Sequence, residues 1–185
     1  YAFGRQPEAV SWALAQLGGA LSLVCPPALL EAELQRFGGS YQIRLRDGVF
    51  RRLNLIPGEL AADVQCLSDL FAWLTETRAG WDQFFFDWYC GEASAERAAA
   101  SPQAALYTSP AFSLIREALA ARTSSSASER LAHPYFQRAT PVTMLIDEVE
   151  ALWAPIAERD DWSLFEAKLR DVAALREALG SHRAR

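Results

Sequence analysis

At 185 residues the chain suits one domain with a sizeable core, and its 51% hydrophobic and 11% aromatic content excludes a disordered chain. A net charge of −5 with a pI near 5.1 argues against a general nucleic-acid binder. No run of roughly 18 apolar residues occurs, so no membrane span is predicted, and no signal peptide is visible. Cys25, Cys66 and Cys90 are widely spaced and form no C-x-x-C pair, which points to a reducing, cytoplasmic setting.

The first predicted element is a helix. Tyr1-Ala2-Phe3-Gly4-Arg5-Gln6 is an aromatic lead-in, and Pro7 marks the first helical position, where its missing N–H would have had no partner anyway. Val10, Leu14, Leu17, Leu21 and Val24 recur at helical spacing and draw one apolar stripe, bordered by Trp12 and Ala13. Val24-Cys25-Pro26-Pro27 breaks the stripe, and Pro27 opens a second helix. There Leu30, Leu34, Phe37, Tyr41, Leu45, Val49 and Leu53 keep spacings of three or four straight through Gly38-Gly39. Two glycines cost about 2 kcal/mol of helix propensity, yet the unbroken register predicts one long helix. Pro57-Gly58 is a turn, and Leu60, Val64, Leu67, Leu70, Phe71 and Leu74 predict a third helix ending near Thr77. Trp81 to Tyr89 then holds six aromatics in nine positions, with Gly91 as its C-cap.

Residues 92–108 are rich in Ala and Ser and are expected to link a first helical half, 1–91, to a second, 109–180. Ser109-Pro110 combines N-cap and N1 signals for a short helix through Phe112, Ile115 and Leu119. Residues 122–139 are expected to form a mobile loop, with Arg122 to Ala132 its low-complexity part. Thr140-Pro141 repeats the start signal for a helix carrying Leu145, Val149, Leu152 and Ile156, which Pro155 should kink or end. Ser163-Leu164-Phe165-Glu166 is a capping box for a last helix with Phe165, Leu169, Val172, Leu175 and Leu179 on one face. Gly180 stops it, and 181–185 is a tail. No alternating strand pattern occurs. The expected fold class is all-α, an irregular bundle of about six to seven helices in a single domain.

Several segments resemble one family in order and spacing. Tyr1-Ala2-Phe3-Gly4-Arg5-Gln6-Pro7, followed by Trp12-Ala13-Leu14, is similar to the R-Y-A-Y-G-N-Q-P and W-N-L segments of the SelO family, the selenoprotein-O-like protein adenylyltransferases with a protein-kinase-like fold. Arg5 and Ala13 stand where that pattern has Asn. The stretch from Tyr41 to Leu55 resembles a family segment ending in K-L-G-L, with Asn54 in place of its Gly. The aromatic run resembles D-[YF]-T-x-F-F-R without its Arg, and His133-Pro134-Tyr135-Phe136 resembles N-P-x-[FY], although Arg138 is followed by Ala139 where the pattern has Asn. Glu158 to Trp162 resembles the family's A-x-x-G-D-[FYW] turn.

In that family the first of these segments follows the metal-binding motif. The resemblance therefore implies that the chain begins downstream of the catalytic machinery, consistent with a start at Tyr, not Met. It also implies that the whole enzyme moves AMP from ATP to protein hydroxyls with Mg²⁺ or Mn²⁺, while this part braces the upstream catalytic lobe, with the Tyr1–Gln6 loop near the active site. It carries no catalytic or metal-binding residue and no cofactor itself, and which of its residues would touch the cofactor is left open.

The residues themselves agree with a non-catalytic expectation. Gly18-Gly19 and Gly38-Gly39 sit inside helical periodicity, so neither pair opens a helix after a strand as a phosphate loop does. His133 and His182 lie near no nucleophile pattern. Asp147, Glu148 and Glu150, with Glu158, Asp160 and Asp161, carry enough carboxylates for Mg²⁺, but such runs are usually a solvated helix face. A basic patch of Arg44, Arg46, Arg51 and Arg52 and the aromatic run remain as candidate contact features. The candidate partner surface comprises Arg44, Arg51, Arg52, Trp81, Phe86 and Tyr89. Its partner is the upstream lobe, another protein or a second copy of the chain. The alternative function is a stand-alone helical interaction module without enzymatic activity, and a metal-dependent hydrolase built on the acidic helix is a third.

Overall fold

The computed structural model describes residues 3–180, and no strand occurs among them. Tyr1 and Ala2 of the aromatic lead-in, and the tail 181–185 with His182, lie outside the described residues. Six helices match the long periodic segments: α1 (Gln6–Leu21), α2 (Pro27–Arg52), α3 (Leu60–Thr77), α6 (Pro110–Ala120), α8 (Ile146–Arg159) and α9 (Ser163–Ala178). Three short ones, α4 (Trp81–Asp87), α5 (Ala95–Ala99) and α7 (Ala127–Leu131), fill the connections, together with short 3₁₀ turns. The all-α expectation holds.

α2 runs through Gly38-Gly39 as one helix of 26 residues, as its register predicts. Only its C-terminal end, at Val49 and Phe50, is buried. With Leu53 and Leu55 these residues meet Leu67, Leu70 and Trp73 of α3, Phe84 and Phe85 of α4, and Phe112, Ile115 and Leu119 of α6. Trp73 centres this cluster, its ring 4.9 Å from Phe112 and 6.1 Å from Phe84. Offset and tilted aromatic contacts of this kind add to the burial term. A second, smaller cluster joins Phe86, Tyr89 and Cys90 to Tyr135, Phe136 and Ala178. α4 lies between the two, which is why its three consecutive Phe residues, 84–86, are all buried although they point to different sides of the helix.

Buried polar groups fix the connections. Asp63 of α3 is fully buried and accepts from Arg122 at 2.8 Å (Nε) and 2.5 Å (Nη2), and from the Gly58 backbone N–H at 2.9 Å. The Arg122 guanidinium also covers the Phe50 ring at 4.8 Å. The residue after the 122–139 boundary is likewise tied, since the Ile56 N–H donates to the Thr123 carbonyl at 2.9 Å. Residues 92–108 carry α5 and supply Ser101 and Tyr107, both of which donate to the buried Asp87 carboxylate.

Three boundaries differ from the sequence expectation. α8 starts at Ile146, five residues beyond Pro141, because the Val142 N–H donates to the Tyr135 hydroxyl at 3.1 Å and Val142 packs on the second cluster, which holds the preceding residues out of a helix. Pro155 does not end α8. The helix runs to Arg159, where Asp160 turns left-handed at φ 54 and its N–H closes on the Ile156 carbonyl. The capping box at Ser163 is replaced by Asp161, whose Oδ1 accepts from the Ser163 N–H at 3.0 Å.

Asn54 stands where the resembling segment has Gly, and the backbone explains the exchange. Its φ is 53, a left-handed conformation that Gly adopts freely and Asn tolerates better than other side chains. Its amide also donates to Ser124 Oγ at 3.0 Å.

Phe112→Ala is expected to cost about 3–5 kcal/mol by cavity formation, whereas Trp12→Ala, at a site 66% exposed, should change stability by less than about 0.5 kcal/mol. Urea unfolding of both variants checks the contrast. At Asn54, replacement by Gly should be close to neutral and replacement by Ala should cost about 1–2 kcal/mol for the forced left-handed backbone, again read from denaturation midpoints.

Candidate functional site

The structure separates the six residues of the expected partner surface into three groups. Arg44 and Arg51 are exposed on α2 and make no ion pair among the described residues. Arg52 is paired with Asp82, and its guanidinium lies over the Phe85 ring at 4.2 Å. Trp81 is half-exposed and stacked on Phe71 at 5.6 Å. Phe86 and Tyr89 are not surface residues: they are 5% and 2% exposed, because the second aromatic cluster closes over them. Phe86 meets Phe136 at 5.8 Å, and Tyr89 stacks on it at 4.7 Å. The expected external partner for these two rings is thus supplied by residues 135 and 136 of the same chain.

Arg52, Phe86 and Tyr89 nevertheless line one small pocket of about 110 Å³, closed by Tyr135, Val142 and Leu175. Trp81 belongs to a different and larger feature. It forms one wall of a groove of about 740 Å³ with Pro7 and Val10 of α1, Phe37 and Tyr41 of α2, and Phe71 of α3. Sequence periodicity placed Val10, Phe37 and Tyr41 on apolar stripes, and a stripe cannot distinguish a face that is covered from one that is open. In the structure α1 has no buried residue, and Val10, Trp12, Leu17 and Leu21 are all exposed. The same holds at the other end of the chain, where α8 and α9 enclose an apolar groove of about 200 Å³.

The polar interior offers no obvious reacting group. Asp87 is 1% exposed and accepts from Gln83 at 2.8 Å and Tyr107 at 2.7 Å, with Ser101 as a third donor. Burial first, and then the bond to Asp87, pushes the Tyr107 phenol far above its ordinary value. Burial also lowers Arg97, opposed by Asp87; its guanidinium lies 4.6 Å from the Phe86 ring and 5.0 Å from the Phe136 ring. His133 uses Nδ1 to accept from the Tyr135 N–H and so caps a turn.

The acidic run and the two glycine pairs lie among the described residues. No three His, Cys, Asp or Glu side chains converge as metal ligands among them. Glu148, in the acidic run, is occupied by Thr143 at 2.6 Å and Lys168 at 2.9 Å. Gly18-Gly19 and Gly38-Gly39 are inside α1 and α2, and Gly18 serves helix packing, since a Cβ there would meet Leu34 Cδ1 at 3.3 Å. Nothing in the structure requires Gly38 or Gly39.

The described residues form an all-helical core with open apolar faces at both ends. The family model described as Protein adenylyltransferase SelO matches residues 1–173, nearly the whole chain, and the chain belongs to that family. Neither the comparison with curated proteins nor the comparison with solved structures gives a match. Among the described residues no helix is long and apolar enough to cross a membrane.

The buried phenols predict alkaline sensitivity. Burial, reinforced by Cys90, pushes Tyr89 from 10.0 up to about 12, and burial raises Tyr135 as well. A group whose folded value is raised contributes stability fully present below its unfolded value and lost as pH rises through the folded one. The urea midpoint should therefore hold steady below pH 10 and fall between pH 10 and about 12. Tyr89→Phe should make that fall shallower.

Proposed function

We propose that this chain is the helical region that braces the catalytic lobe of a SelO protein, and that it supplies no reacting group itself. The whole protein would transfer AMP from ATP to protein hydroxyl groups, with Mg²⁺ or Mn²⁺ neutralising the phosphates. That chemistry needs a phosphate-covering loop, a positioned Lys and Asp or Asn metal ligands. The described residues offer no such set, so every catalytic group is assigned to the lobe.

The observation that carries this reading is the open face of α1. Its 16 residues include none that is buried, yet it keeps an apolar stripe through Val10, Leu17 and Leu21, while Trp12 is exposed on the opposite side of the helix. A contiguous apolar face of this kind marks a contact surface. Membership of the SelO family supports the reading that its occupant is the lobe that performs the transfer. The chain's own core, centred on Trp73, is complete without it, which suits a rigid support.

Labelled-ATP transfer tests the assignment. The parent protein as it occurs in cells should label protein substrates, and residues 1–185 alone should not. Val10→Asp with Leu17→Asp in the parent should abolish most transfer and lower its stability by about 3 kcal/mol, the cost of denying two apolar side chains their burial. The same pair in residues 1–185 alone should leave stability nearly unchanged. Transfer by residues 1–185 alone, or a parent indifferent to both changes, would overturn the reading.

A further inference from the structure

We infer that the α8–α9 hairpin is a second docking surface, independent of the α1 face, and that it takes a cationic amphipathic helix from another protein. Residues 146–161 contain six acidic side chains and one Arg, a net charge of −5, which equals that of the whole chain. All the remaining residues together are therefore neutral. This charge is concentrated on an element that stands at the margin of the fold, because α8 packs on α9 and α9 on the 3₁₀ turn at Pro134–Gln137.

An apolar strip runs through the acidic surface. Ile146 is 68% exposed and Trp153 60% exposed, and Trp162 and Leu169 are open beside them. Trp153, Trp162 and Leu169 line the groove of about 200 Å³ between the two helices, and Ile146 lies outside it on the same side of α8 as Trp153. At 100° per residue Glu150 falls within about 60° of both Ile146 and Trp153, so a carboxylate sits in the strip itself. Asp147 and Glu150 are exposed and form no ion pair among the described residues, whereas neighbouring Glu148 is already held by Lys168.

The complementary partner is set by those two properties. Aliphatic side chains at i, i+3, i+4 and i+7 of an incoming helix would fill the groove, as in other helix-in-groove contacts. Lys or Arg on its flanks would meet Asp147 and Glu150. Nucleic acid and anionic lipid are repelled by the same charge.

The test uses residues 1–185 and a labelled Leu/Lys amphipathic peptide of about 18 residues, long enough for five helical turns, with its Leu/Glu counterpart as the control. In fluorescence anisotropy the Lys peptide should bind at least about tenfold more tightly than the Glu peptide, with an affinity that weakens as salt is raised. Asp147→Lys with Glu150→Lys should reduce binding about tenfold or more, Glu150→Gln less so, and Trp153→Ala should also weaken it. Leu17→Asp should leave it unchanged, which separates this surface from the α1 face. Equal binding of the two peptides, indifference to the charge reversals, or no binding at about 100 μM, an affinity too weak for a specific site, would overturn the inference. So would a dimer in sedimentation that Trp153→Ala dissociates, since the occupant would then be a second copy.

Discussion

α4 must be covered on two faces, and the rest of the fold follows from that requirement. Phe84 and Phe85 point into the cluster built by α2, α3 and α6, while Phe86 and Tyr89, further along the same segment, need a second cover. Tyr135, Phe136 and Ala178 supply it. The return of the chain from α6 to the 3₁₀ turn at Pro134–Gln137, and the docking of the end of α9 there, are the means by which the second face of a seven-residue helix is kept from water.

Polar groups set the precision of that arrangement. Asp87, at the end of α4, holds Ser101 and Tyr107, and through them fixes the arm between α4 and α6. Asp63 and Arg122 tie α3 to the end of α6. Removing one partner of a buried pair strands the other without water or counter-charge, so these contacts specify the geometry even where their net contribution is small. Left-handed Asn54, Cys90 and Gly91 let the backbone turn sharply enough for both seams to close.

The function proposed here is built on what the core leaves over. The aromatic centre satisfies itself, whereas the hairpin of α1 with α2 and the hairpin of α8 with α9 each keep an apolar face outside it. One face suits the catalytic lobe of an adenylyltransferase to whose family the chain belongs. The other is distinguished by charge, because it carries the whole net negative charge of the protein. A packing unit with two chemically different faces can hold an enzyme on one side and meet another protein on the other.

Most of the fold was legible in the sequence. Helical spacing located α2 through two glycines, the end of α3 at Thr77 and the start of α6 at Ser109-Pro110, since these depend on local backbone preference and on one repeated period. The family was also legible, in short segments whose residues sit at turns and in the core. The sequence by itself therefore determined the helices, the all-α class and the family. Only the tertiary structure decided which apolar stripes are covered. Phe86 and Tyr89 looked like a docking surface and are core, while the stripe through Val10 and Leu17, which periodicity marked only as apolar, is open. Periodicity records which side of a helix avoids water, but whether another part of the chain reaches that side depends on contacts between residues far apart in sequence, such as Tyr89 with Phe136.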